Sequence, residues 1–134
     1  MAMRISSAFV STYAEMVGGR VSIIGAFPAG LTISADLPST QSLGFTCVCE
    51  IDPTEIGRTV TFDLLLSAPS GTKSQLWHFA GQIVAVPGLP RNAPMRETYI
   101  CQVPVVFQMG GLHYFEFVGE GLSTAVPFYI ECVR

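Results

Sequence analysis

The chain has 134 residues, enough for one domain that buries roughly two-thirds of the surface its unfolded form exposes, so neither a disulfide nor a metal is needed to hold it folded. Hydrophobic residues make up 49% and charged residues 13%, with a net charge of −3 and a mean hydropathy of +0.47; typical soluble domains carry roughly 25% charged residues. The seven basic residues are scattered, so no cluster stands ready to neutralise phosphates and nucleic acid is a poor partner. A helical membrane span needs ~20 consecutive apolar residues, and the longest charge-free run, "TYICQVPVVFQMGGLHYF" at 98–115, is broken by Gln102, Pro104, Gln108, Gly110, Gly111 and His113.

The opening "MAMRISSAFVSTYAE" lacks the apolar region of a secretory signal. The expectation is a cytoplasmic chain whose four cysteines are reduced thiols. A protein released by lysis, as virion components are, would be the exception. Strands are expected at 5–14 and 20–27, joined by "VGGR" at 17–20, where Gly18-Gly19 suits the positive φ of a tight hairpin.

The clearest signal is alternation with period two, the mark of half-buried strands. In 43–51 the alternating apolar set is Leu43, Phe45, Cys47, Cys49 and Ile51. "DPTEIG" at 52–57 reads as one helical turn, with Asp52 as the cap, Pro53 at the first position, Glu55 where a capping-box acid belongs and Gly57 at the end. That accounts for both acids without invoking a carboxylate pair for metal or acid/base work. In 58–66 the set is Arg58, Val60, Phe62, Leu64 and Leu66, and "APSG" at 68–71 is a turn.

A weaker strand at 75–86 places Trp77 in the core and His78 on the other face. "PGLPRNAPMR" at 87–96 cannot be a central strand because of its prolines. It reads as a stiff crossover loop, or as a contact loop presenting Arg91 and Arg96. Strands resume at 99–107, with Tyr99, Cys101, Val103, Val105 and Phe107 in one register, and at 112–118. "GEG" at 119–121 turns into 126–132, where Val126, Phe128, Ile130 and Cys132 alternate.

About eight strands with short connections predict one all-β domain over 1–134: an antiparallel two-sheet β-sandwich, immunoglobulin-like, with a closed barrel as the alternative. Several outward positions are also apolar: Val48, Leu65, Val84, Val86, Ile100, Val106, Tyr129 and Val133. A soluble monomer would place polar residues at many of them, so they point to a subunit interface.

The candidates for chemistry thin out under the same reading. Cys47 and Cys49 are one residue apart in a strand, where their sulfurs share a face with no turn to wrap them round an ion, unlike a Cys-x-x-Cys pair. All four cysteines fall in apolar registers and read as small core residues. His113 and Glu116 fall on opposite faces of their strand and cannot form a simple dyad. No nucleophile-elbow, zinc-protease or phosphate-loop motif is present. Tyr114 and Tyr129 could form a ligand platform or an interface. No catalytic, cofactor-binding or metal-binding residue is assigned, and no cofactor is expected.

Three longer stretches carry a family resemblance. "FVSTYAEMVGGRVSIIGAF", "DPTEIGRTVTFDLLLSAPSG" and "QVPVVFQMGGLHYFEFVGEGLSTAVPFYIECVR" together resemble a widespread, uncharacterised bacterial family of small β-sandwich proteins over nearly the whole chain. The chain departs from that pattern in a shorter segment before His113 and in cysteines where such strands carry aliphatic residues. The resemblance implies a sandwich and brings no activity. The functional expectation is a non-enzymatic protein-interaction or assembly module that associates with itself or another protein. The alternatives are a phage virion accessory sandwich on a capsid or tail, and a cysteine-centred metal or redox protein.

Overall fold

A computed structural model describes residues 3–18, 20–26, 29–33, 36–90 and 92–133. Gly19 of the first hairpin and Arg91 of the proline-rich loop lie outside the described residues. Nine strands are present among those described: β1 (Met3–Val17), β2 (Arg20–Ala26), β3 (Gly30–Ile33), β4 (Ser39–Ile51), β5 (Thr59–Ser67), β6 (Lys73–Gln82), β7 (Met95–Phe107), β8 (Gly111–Gly119) and β9 (Leu122–Cys132). No helix among the described residues is long and apolar enough to cross a membrane.

The strands form two sheets packed face to face, in the orders β2-β1-β4-β7 and β3-β9-β8-β5-β6. Both sheets are open, so the barrel alternative falls. The body β1-β4-β7 against β9-β8-β5-β6 is the immunoglobulin arrangement, in which strands A, B and E face G, F, C and C′. The expected sandwich is present, with two differences. A ninth strand, β3, is only four residues long. It runs parallel to β9, Gly30 opposite Tyr129 through Ile33 opposite Cys132, so the sheet is not wholly antiparallel.

The apolar sets read in 43–51 and 99–107 are buried at every position. Between the sheets the aromatic rings form a continuous ladder. Phe79 meets Tyr99 edge-on at 5.0 Å, Tyr99 meets Phe62 at 4.8 Å, and Phe62 stacks on Phe117 at 4.7 Å. The ladder continues through Phe45, Phe115, Phe128 and Phe107 and ends with His113 edge-on to Phe107 at 5.1 Å. Each side chain of this size contributes about 1.5–3 kcal/mol on burial, and pairing geometry adds to it.

Local chemistry sets the connections. Asp52 caps the short 3-10 turn Pro53–Glu55 by accepting from Thr54 N at 3.0 Å. Glu55 pairs with Arg58 at 3.1 Å. The β8–β9 hairpin turns on Glu120 and Gly121, with φ of 53° and 74°, the positive pair that a two-residue type I′ loop requires. A glutamate holds this costly conformation because its carboxylate accepts from Thr61 N at 3.1 Å and from Arg58 at 2.5 Å.

Three sequence expectations change in detail. β6 ends at Gln82, short of the expected 86. Trp77 is half-buried, packed against the core from the edge strand. Cys132, the last residue of β9, is exposed.

Candidate interaction surface

β1 changes partner at Ser11. Up to that residue it pairs with β4, from Met3 opposite Ile51 to Ser11 opposite Gly44. From Ser11 onward it pairs with β2, to Val17 opposite Arg20. The second half of β1 and the whole of β2 therefore form a hairpin arm that leaves the plane of its sheet. The sheet permits this at Gly44, whose missing side chain makes room. A Cβ there would lie 2.5 Å from Ser11 Oγ, 2.7 Å from Ala14 Cβ and 2.9 Å from Ala14 N.

The arm is pinned where it crosses. Gln102 on β7 accepts from Ala14 N at 3.0 Å and donates to Thr12 O at 3.2 Å and Ser42 Oγ at 2.8 Å. Thr12 Oγ1 donates to Ile24 O at 2.7 Å across the arm. Ser11 and Ala14 are buried under this crossing. Beyond the root the arm is exposed and apolar: Ile24 is 65% exposed, Val17 56%, Met16 49% and Tyr13 38%. Tyr13 and Ile24 are register partners on one face. Alternation puts Val17 on that face with them, together with Glu15 and Arg20. The Tyr13 hydroxyl donates to the Glu15 carboxylate, which raises the phenol's pKa.

A second apolar area lies on the outer face of β8 and β9, where Leu112 faces Tyr129 and Tyr114 faces Pro127. Leu112, Tyr114 and Tyr129 are all exposed, so the two tyrosines do share a face. Val84, Val86, Val106 and Val133 are exposed as well, whereas Val48, Leu65 and Ile100 are half-buried. Further along the outer face of the first sheet, Thr46 is buried between its register partners Phe9 and Ile100.

The four sheet edges differ in protection. β7 carries Pro104, which removes a backbone donor, and Glu97 in an inward register opposite Cys49; both discourage strand addition. Burial raises the Glu97 carboxyl's pKa. β3 is short. β2 and β6 carry neither device.

The charged groups pair locally. Arg4 and Arg96 face Glu50, Arg58 faces Glu55 and Glu120, and Lys73 faces Glu116 at 3.0 Å. His78 Nδ1 lies 2.7 Å from Asp63 Oδ1 on the exposed face of β5–β6, opposite Trp77 as expected. His113 is buried and Glu116 lies on the other face, so no dyad forms between them.

Cys47, Cys49 and Cys101 are buried free thiols. A hydrogen bond with Cys49 raises the Cys47 pKa, with burial adding to it. The same bond lowers Cys49 against the opposing effect of burial. Burial pushes Cys101 up to about 12. No group of three or more metal-ligating side chains occurs among the described residues. A bulky aromatic disulfide reagent is expected to label one thiol per native chain, Cys132, and all four only after unfolding. Rapid native labelling of more than one would contradict the inward registers of β4 and β7.

Comparison with known proteins bears on the fold. No family model matches the chain, and no curated protein matches it. Among solved structures it is similar to an alkylpurine DNA glycosylase, AlkC of Pseudomonas fluorescens, bound to DNA containing an abasic site analog. The two are 10% identical over 97% of this chain, with a TM-score of 0.52. The chain spans about 30% of the length of that protein's chain. The likeness shows a shared fold and carries nothing about activity.

Sequence reasoning found the apolar outer positions and missed the arm. The signal was available in Gly44. It is the one position in the outward register of β4 without a side chain, and Gln102 stands opposite it in β7.

Proposed function

We propose that the protein is a non-enzymatic assembly module that associates with a second copy of itself through the β1–β2 arm. The observation that carries this reading is the arm: Tyr13, Met16, Val17 and Ile24 are exposed on a hairpin whose root is fixed by Gln102. An apolar hairpin held away from its own core gains little for the monomer and offers a partner a preformed surface with little ordering entropy to lose. The 13% charge content and the unguarded β2 edge support the same reading.

The test is sedimentation of the wild-type chain beside a Val17→Glu/Ile24→Glu double variant. The wild type is expected to sediment as an oligomer at high micromolar concentration and the variant as a monomer. Because both residues are more than half exposed, the melting temperature of the monomeric fold changes little. A wild-type chain that remains monomeric across that range overturns the proposal.

A further inference from the structure

A half-open groove lies between the start of β6 and the end of β7, with a volume of about 440 Å³. Ser70, Thr72, Ser74, Gln75 and Gln108 line it with polar groups, and Leu76, Val106 and Met109 with apolar surface. No charged side chain lines it among the described residues. Lys73, between two of the lining residues, turns to the other face and pairs with Glu116.

His113 also borders this space and is 1% exposed. Its ring is fixed from two directions: Nδ1 lies 3.0 Å from Gly111 O, and the ring stands edge-on to Phe107 at 88°. A carbonyl only accepts, so Nδ1 carries a proton, and in the neutral ring Nε2 presents a lone pair. Nε2 has no partner among the described residues. It is also not sealed: Thr46 Oγ1 is the one fully enclosed, unpartnered side-chain polar atom among them. The small accessible area left to His113 thus includes Nε2, and the residue lines the groove.

We infer that this groove binds a small neutral molecule with an aliphatic body and one hydroxyl or amide N–H, which donates to His113 Nε2 while the body packs on Leu76, Val106 and Met109. The volume falls within the roughly 300–1,000 Å³ of small-molecule sites, which pair apolar walls with a few placed polar groups. No side chain lining the groove among the described residues offers an ionised ligand a counter-charge. A ligand without a donor would cover Nε2 without pairing it. The site is independent of the arm.

The experiment is a titration of the full chain with 1-hexanol, its acceptor-only isostere 1-methoxypentane, and hexanoate. It is followed by NMR of the Val106, Met109 and Leu76 methyl groups and the imidazole nitrogens. Hexanol is expected to shift those methyls saturably and to move the Nε2 resonance, with the ether and the carboxylate at least tenfold weaker. Val106→Trp, at a position 45% exposed, is expected to fill the groove and abolish the shifts while the fold persists. Equal binding of the ether or hexanoate overturns the inference. So does retained binding in Val106→Trp, or the absence of saturable shifts with hexanol.

Discussion

Replacing Phe117 with alanine is expected to lower the unfolding free energy by about 3–5 kcal/mol, the usual cost of truncating a buried aromatic. For a chain of this size that corresponds to a fall in melting temperature of roughly 10–20 °C. Phe117 is fully buried at the middle of the ring ladder. It stacks on Phe62 at 4.7 Å and touches Phe45 at 5.9 Å and Tyr99 at 6.0 Å. Its loss opens a cavity bordered by rings from both sheets, and close-packed strands relax into such a space only in part. Tyr129→Ala, at a position 53% exposed on the same sheet, serves as the control and should stay within about 0.5 kcal/mol. Calorimetry on the two variants checks both values. A loss below about 1 kcal/mol at Phe117 would mean the ladder does not hold the sheets together.

The second large effect is expected from Gly44→Val. The new side chain would overlap Ser11 and Ala14, with the nearest approaches under 3.0 Å, and two of those contacts are with the arm's root residue Ala14. The arm must lift from β4. Lifting breaks the Ala14 N–Gln102 bond and the Gln102–Thr12 bond and exposes the buried Ser11. Overpacking costs about 1–3 kcal/mol, and each polar group left without its partner adds about 1–3 kcal/mol. Hydrogen exchange at Ala14 is the direct readout: slow in the wild type, fast in the variant. Sedimentation is the second, because an arm without its anchor should associate less. Gln102→Ala removes the same bonds without the clash and is expected to give the smaller loss, about 1–2 kcal/mol. A Gly44→Val chain with wild-type exchange at Ala14 would show that the crossing does not depend on the missing side chain.

These two positions also mark what the sequence could tell and what it could not. The registers around Phe45 and Tyr99 were legible because strand geometry forces a period of two, and burial of one face makes that period visible in residue type. β3 was not legible. Four residues, "GLTI", are too few to display a period, and a parallel pairing across the whole chain leaves no turn signal beside it. Cys132 was assigned inward because alternation says which face a residue takes, not whether it is covered there. The departure of the arm was hidden for a similar reason. Both halves of β1 alternate as strands do, and the change of partner at Ser11 is a tertiary event marked only by a glycine in another strand. The setting of His113 was not legible either: its ring is fixed by Gly111 and Phe107, and sequence spacing does not bring Phe107 to it.

The continuity of β1 has a mechanical consequence. The arm and the body share one unbroken backbone. A pull on the arm along the strand axis reaches the β1–β4 ladder, whose hydrogen bonds lie across that axis. They are loaded together, as in a lap joint, rather than one after another as in a zipper. The pairing from Ser7 to Ser11, beyond the register shift between Ile5 and Ser7, takes the load first, and the Gln102 clasp at the crossing opposes peeling of the strand. If the arm is the point of attachment, the chain is built to transmit tension through that attachment without surrendering its fold.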